Sequence, residues 1–341
     1  MLVHSRLPLW AAVSSLGLLL AACGASVAPI QTPADQPPVQ SASEYPAYDQ
    51  PRDFTPFVSG HRGGSGYAPE DTMAAYRNAA RIGIDDFETD TQLTADGELV
   101  LIHDDSLDRT TNCTGTVISK SYAEVLACDA GYWWSPGQAT TSHDESAPHP
   151  YRGKGVVVPK AGEIFAFARS LGALGPTVTI EIKNIPGEAN FETRCETAAT
   201  KLVQLIHDSG IQNRITVQSF DPTCIGNVKS KDASINTLYL SFEGAMPDLA
   251  LCIADGFEYS APSYDSPDFD AAYVEAAHAA GVKVDPWTAD SADAMQKMAG
   301  LGVDGVITNF PACLMQLQGR AVPATLVSPI ADATEMAACP D

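Results

Sequence analysis

Two histidines, three carboxylates and two cations are spaced as residues that end neighbouring β-strands. His61 closes a short apolar run in Gly60-His61-Arg62-Gly63-Gly64, and His103 closes another in Ile102-His103-Asp104-Asp105. Histidine titrates near neutral pH, so two of them facing one substrate can remove and supply its protons. Glu88 and Asp90 stand two apart in an extended run, as do Glu181 and Lys183, and the two-residue period of a strand turns both members of each pair to one face. Carboxylates gathered in a confined mouth repel one another unless a cation bridges them. An all-oxygen set of Glu88, Asp90 and Glu181 suits Mg2+ or Ca2+ rather than zinc. Arg62 and Lys183 could neutralise the same acids without a metal, but the third carboxylate, from a separate strand end, favours the ion. The planar fork of Arg62 and the point charge of Lys183 match phosphate oxygens, and the glycines after Arg62 would let an anion reach the backbone. The other histidines look ordinary: His207 and His278 fall on helical patterns, and His143 and His149 in a polar insertion.

Such residues need a scaffold that brings several strand ends to one place. Short apolar or β-branched runs recur at 57–60, 84–92, 177–183, 214–219, 236–241, 256–260, 282–287 and 303–308. Helical patterns lie between them, at 71–82, 161–172, 192–209, 268–280 and 291–301. Eight strand-then-helix units predict an α/β fold, the (β/α)8 TIM barrel, whose catalytic groups gather at the C-terminal rim. One piece breaks the alternation. Thr94-Ala95-Asp96-Gly97 reads as a tight turn and 98–103 as a returning strand, opening an insertion of about 94–158 after the second barrel strand. An insertion there sits over the catalytic mouth. An open doubly wound sheet is the alternative, but no Gly-x-Gly-x-x-Gly follows the first strand.

Residues 1–22 read as an export signal, with Arg6 followed by an apolar run from Leu9 to Ala22 that is too short to span a bilayer. The run ends Leu20-Ala21-Ala22-Cys23, which resembles the cleavage box of bacterial lipoproteins and makes Cys23 the candidate lipidation site; ordinary secretory cleavage is the alternative. Residues 23–52 hold six prolines without apolar periodicity and read as a disordered tether, leaving 53–320 as the barrel and 321–341 as a C-terminal tail. The predicted location is therefore the cell envelope, with the lipid as membrane anchor. Seven cysteines follow Cys23 and read as disulfides in an oxidising compartment, with Cys113–Cys128 and Cys313–Cys339 the local pairs and one thiol left over. Acidic residues outnumber basic ones 42 to 20, a formal charge of −22, which argues against nucleic acid as a partner. An anionic substrate must be caught by a local positive site.

The runs HRGGSGYAPEDT (61–72), FETDTQLTADGELVLIHDDSLDRTTN (87–112), TIEIKN (179–184), VQSFD (217–221), VDPWT (284–288) and GVITNFP (305–311), in this order, resemble the glycerophosphodiester phosphodiesterase family. The resemblance covers about 57–315. It implies a (β/α)8 barrel with an insertion above the mouth, and metal-dependent hydrolysis of a small-molecule glycerophosphodiester to glycerol 3-phosphate and an alcohol. Carried over by position, it makes His61 and His103 the acid-base pair, Glu88, Asp90 and Glu181 the metal ligands, and Arg62 and Lys183 the phosphate contacts. Glu70 and Trp287 become further substrate-pocket residues. Asp71 stands where the family usually has Asn, and Asn309 where it usually has Asp; neither is expected to touch the histidine pair. His61 is read as base and His103 as acid.

Two alternatives are a phospholipase-like hydrolase of lysophospholipids or sphingolipids on the same barrel, and a non-catalytic surface lipoprotein. The lipid anchor and the Trp133-Trp134 pair favour the first, although paired tryptophans in an insertion are more often packing. The second would be favoured by a missing histidine or carboxylate, and none is missing. No Gly-x-Ser-x-Gly elbow supports serine-hydrolase chemistry.

Overall fold

The computed structural model describes residues 45–50, 54–183, 191–323, 325–326, 334–335 and 339. The predicted signal 1–22 and the lipidation site Cys23 lie outside the described residues. Eight parallel strands form the barrel: β1 (Phe57–Gly60), β2 (Asp86–Leu93), β4 (Thr177–Ile182), β5 (Ile215–Ser219), β6 (Asn236–Ser241), β7 (Tyr259–Pro262), β8 (Lys283–Val284) and β9 (Gly305–Thr308). The hairpin return, β3 (Leu99–Leu101), pairs antiparallel with β2. Ladder pairing runs from β8 round to β9 through β7, β6, β5, β4, β2 and β1. The gap between β8 and β9 is bridged by Asp304 N donating to Val284 O (2.9 Å) and Ile307 N to Pro286 O (3.0 Å), so the barrel is nearly closed.

Strand ends shift by up to three residues from the sequence expectation, and two departures among the barrel strands have a clear local cause. The run at 256–260 becomes β7, starting only at Tyr259, because the preceding helix, Met246–Asp255, is capped by Gly256 in the left-handed region (φ 71°) and the chain must turn before it extends. The run at 282–287 shortens to two residues, since Pro286 has no N–H for a ladder.

The alternation along β2 sets the character of the site. Phe87 faces outward into the shell between strands and helices, where it meets Tyr76 and Phe167. Asp86, Glu88 and Asp90 take the other parity and point into the barrel, all buried. At the bottom, Asp86 accepts from Ser59 Oγ (2.7 Å) and Thr177 Oγ1 (2.6 Å), which satisfies that carboxylate locally. Higher up, register aligns the chemistry: Asp90 pairs with Glu181 across β2 and β4, and Glu181 with Gln218 across β4 and β5.

Helices α1 (Met73–Ile82), α3 (Ala161–Ser170) and α4 (Phe191–Ser209) cover the first half of the barrel; α2 (Tyr122–Leu126) belongs to the insertion. Helices α5 (Pro222–Lys231), α6 (Met246–Asp255), α7 (Ala271–Ala279), α8 (Ala292–Leu301) and α9 (Pro311–Leu317) cover the rest. None of the described helices is long and apolar enough to cross a membrane. The insertion has its own small core of Leu107, Val117, Val125, Trp134, Tyr151 and Val158. It is joined to the loop after β1 by Trp134 Nε1 donating to Ser65 O (2.8 Å).

Disulfides Cys113–Cys128 and Cys313–Cys339 form as expected from proximity; Cys195–Cys224 joins α4 to α5 across a sequence gap that gave no local clue, and Cys252 is the free thiol. Residues 45–50, at the end of the proline-rich span, lie against the barrel, where Tyr48 is buried and its hydroxyl donates to Ala80 O (3.1 Å). The tether reading therefore concerns the chain ahead of Tyr45. In the tail, Thr325–Leu326 and Thr334–Glu335 pair antiparallel as β10 and β11.

Candidate active site

The rim residues converge. His61, Arg62, Glu88, His103, Glu181 and Lys183 line one cavity of about 80 Å3, with Gln218, Phe220 and Trp287 completing its wall. They come from the ends of β1, β2, β4 and β5 and from the turn after β3, as the strand-end reading predicts. Asp90 lies immediately behind them, bridged to Lys183 Nζ at 3.0 Å and facing Arg62 Nε at 3.2 Å.

Arg62 is held by three acids. Its backbone N donates to Glu88 Oε2 (2.7 Å), its Nη1 donates to Glu70 Oε1 (2.8 Å), and its Nε faces Asp90. To reach all three it takes a left-handed backbone (φ 52°), followed by Gly63 and Gly64, both at φ 81°. The sequence reading of these glycines needs correcting. A Cβ on Gly63 would stand 2.7 Å from Ala75 Cβ, and one on Gly64 would stand 3.1 Å from Pro311 Cγ, so they serve packing against α1 and α9 rather than ligand access.

Glu70 lies behind Arg62, with both oxygens taken by arginines: Arg109 Nη1 and Nη2 donate to them at 2.7 Å each. Burial opposes its ionisation, but the Arg62 charge and the Arg109 bonds outweigh burial and bring its carboxyl down to about 2. Arg109 also donates to Asp104, which in turn accepts from His103 Nδ1 at 2.7 Å. A chain of charge therefore runs from Arg62 through Glu70, Arg109 and Asp104 to His103. Neither Arg109 nor Asp104 stood out in the sequence, although both lie inside the run 87–112 that carries the family resemblance.

The expectation that neither unusual residue touches the histidine pair is overturned. His61 Nδ1 donates to Asn309 Oδ1 at 2.7 Å. Gly60 pairs with Thr308 in the β1–β9 ladder, so the residues that follow them come side by side. Asn309 cannot turn its amide round, because Nδ2 donates to Asp290 Oδ2 (2.7 Å). With a carbonyl oxygen fixed behind Nδ1, the His61 proton sits there and Nε2 carries the lone pair. Burial and the Arg62 charge push the ring down to about 3, so it is neutral at working pH, with the Nε2 lone pair free to accept a proton. His103 is also lowered, chiefly by burial, but its backing is the Asp104 carboxylate, a partner that stabilises an imidazolium. Asp71 is a further departure in a left-handed position (φ 54°), accepting from Tyr76, Thr89 and the Asp90 backbone.

The three carboxylates fit a divalent cation. One oxygen each from Glu88, Asp90 and Glu181 lies within 4.8 Å of the others, and all three residues are buried. Asp90 Oδ2 is buried and makes no hydrogen bond among the described residues, although Arg62 Nε stands 3.2 Å away. Burial, reinforced by the Asp90 and Asp71 charges, holds Glu88 well above the usual carboxylate range, and burial with Asp90 lifts Glu181 to about 8 against the pull of Lys183. Such acids are poor company for one another without added positive charge, and oxygen donors alone suit Mg2+ or Ca2+. Another grouping, Cys195, Asp221 and Cys224, has its two sulfurs joined in a disulfide and offers no thiolate.

The tryptophans of the insertion are packing residues. Trp134 is buried against Tyr151, and Trp133 is half-buried and stacks on His143 at 4.2 Å.

Residues 61–313 match the glycerophosphoryl diester phosphodiesterase family. A glycerophosphodiester phosphodiesterase of Caldanaerobacter subterraneus is 31% identical over 266 residues, covering 76% of this chain and 96% of the relative. One from Bacillus subtilis is 29% identical, covering 74% and 82%. Among solved structures, an Oleispira antarctica phosphodiesterase in complex with the product sn-glycerol-3-phosphate superposes with a TM-score of 0.65 at 25% identity, over 77% of this chain and 97% of that one. An Agrobacterium tumefaciens glycerophosphodiester phosphodiesterase shares the fold with a TM-score of 0.59 at 23% identity, over 76% and 99%.

Proposed function

The chain belongs to the glycerophosphoryl diester phosphodiesterase family, and we propose that it hydrolyses glycerophosphodiesters to glycerol 3-phosphate and an alcohol by two-histidine acid-base catalysis with a divalent metal ion. The observation that carries this reading is the meeting of His61, His103, Arg62 and Lys183 with Glu88 and Glu181 in one cavity, with Asp90 paired to Lys183 behind them. Glu88, Asp90 and Glu181 would hold the ion, which when bound supplies Lewis-acid stabilisation of phosphate charge. Arg62 and Lys183, both already positioned by carboxylates, face the phosphate oxygens and favour the charge that gathers on them in the transition state.

His61 Nε2 takes the proton of the nucleophile, either water or the glycerol hydroxyl of the substrate. The bond from phosphorus to the head-group oxygen breaks, and His103 gives that oxygen a proton. If the glycerol hydroxyl attacks, a cyclic phosphate forms and water opens it with the two histidines exchanging roles. The contrast between an amide behind His61 and a carboxylate behind His103 supports this direction. The packing of Trp133 and Trp134 within the insertion removes the lipid-contact surface on which the phospholipase alternative rested and weighs against it.

The test is release of glycerol 3-phosphate from several glycerophosphodiesters, before and after EDTA and with Ca2+ or Mg2+ restored. Chelation should abolish turnover, and His61→Ala or His103→Ala should lower it by at least about a hundredfold. Undiminished activity in EDTA would sink the metal reading. We also propose that the protein is exported and held to a membrane through Cys23; three disulfides support an oxidising compartment. Fatty-acid labelling that survives Cys23→Ser would refute the anchor.

A further inference from the structure

Beyond His103 the catalytic cavity continues into a second, larger pocket of about 750 Å3. His103, Glu181, Lys183, Phe220 and Leu240 line both spaces, whereas His61 and Gln218 line only the small one. The two halves of a phosphodiester can therefore be assigned. Gln218 is buried, and its Nε2 is committed to Glu88 (2.7 Å). Its Oε1 is buried with no partner among the described residues, an acceptor suited to a glycerol hydroxyl in the small cavity. The departing alcohol then lies on the other side of the phosphate, past His103, in the larger pocket.

The chemistry of that pocket is one-sided. Phe220 and Phe242 stack at 4.6 Å, and both make edge contacts with Trp287, so an aromatic wall runs from the catalytic cavity outward. Phe242 is 69% exposed, so part of its ring is open to a ligand entering the pocket. Asp105, Glu243 and Asp248 line the same pocket, and none pairs with Lys or Arg among the described residues, although Asp248 accepts from Ala245 N (3.1 Å) at the start of its helix; Lys183, which also lines the pocket, is engaged by Asp90 and Glu181. Aromatic faces beside unneutralised carboxylates attract a large, weakly hydrated cation and offer a neutral polyol little.

Resting on the phosphodiesterase reading above, we propose that this pocket selects glycerophosphodiesters whose alcohol carries a cationic head group, with a choline-type quaternary ammonium held by Phe220 and Phe242 and by the Glu243 and Asp248 carboxylates.

The experiment compares kcat/KM of the metal-loaded full chain for glycerophosphocholine and for glycerophosphoglycerol, whose departing alcohol is uncharged. Wild type should prefer the choline ester by about three- to thirtyfold, the range that a cation over an aromatic face provides. Phe242→Ala and Glu243→Gln, both at exposed positions, should each shrink that ratio several-fold. Choline chloride should inhibit wild type more than NaCl of equal strength, a readout that needs no variant. Equal use of the two diesters, or a ratio unmoved in both variants, would overturn this inference while leaving the phosphodiesterase reading intact. Failure to release glycerol 3-phosphate from any diester would overturn both. Lysophosphatidylcholine turned over as fast as glycerophosphocholine would contradict the glycerol assignment of the small cavity, and the proposal with it.

Discussion

His61 Nδ1 and Asn309 Oδ1 stand 2.7 Å apart although 248 residues separate them in the chain. The contact fixes which nitrogen of His61 carries the proton, and the Asp290 carboxylate fixes the amide that does so. Burial and the Arg62 charge hold the ring's pKa low, and a neutral partner does not overcome them; a carboxylate there would favour the imidazolium. Asn309→Asp should therefore raise the His61 pKa and move the acidic limb of the kcat/KM profile upward by about 1–3 pH units. An unmoved limb in a folded, metal-loaded variant would show that position 309 does not set the basicity of His61.

The direction of proton transfer has its own check. A p-nitrophenyl phosphodiester leaves without needing a proton, so His103→Ala should recover most of its lost rate on that substrate relative to glycerophosphocholine. His61→Ala should remain crippled on both. Recovery by the His61 variant instead would exchange the two roles.

Cation binding can be read without turnover. Ca2+ or Mg2+ at about a hundred times its dissociation constant should stabilise the fold by about 2.7 kcal/mol, visible as a rise in Tm. Glu181→Gln removes the negative charge of one of three clustered carboxylates and should suppress that rise. An equal rise in the variant would place the ion elsewhere.

Asp71 is buried, and burial together with the Asp90 charge holds its carboxyl well above the usual range despite Arg62. The folded state thus binds this proton more tightly than the unfolded chain. Its stabilising contribution is full below the ordinary aspartate pKa and is lost as pH rises toward the raised value. Asp71→Asn tolerates the left-handed backbone equally well and keeps an acceptor for Tyr76 and Thr89. In EDTA its Tm advantage over wild type should grow between pH 4 and pH 8, each kcal/mol appearing as about 2–4 °C. An advantage that shrinks with pH would contradict the assignment.

Cys252 is fully buried, and burial pushes its thiol up to about 12. Iodoacetamide should leave it unmodified in the native protein at pH 8 and label it after denaturation without reductant, as peptide mapping would show. Labelling of Cys195 or Cys224 under the same conditions would contradict their disulfide.

Much of the site was legible because strand ends leave a local signature. Glu88 with Asp90, and Glu181 with Lys183, announce one-sided polar faces through their spacing alone, and His61 and His103 follow short apolar runs that read as strands. The same logic counted eight barrel strands, misplacing β7 and overextending β8 where a helix cap and a proline overrode the apolar pattern.

The sequence by itself determined the alternation of strands and helices, the polarity of the inward face of β2 and the presence of two histidines at strand ends, because these depend on residues a few positions apart. Only the tertiary structure decided the partners behind them. The pairing of Gly60 with Thr308 sets Asn309 against His61, and the folding of the insertion brings Arg109 between Glu70 and Asp104. Such contacts depend on ladder register and barrel closure, which sum over many weak local preferences, so no single stretch of residues reveals them.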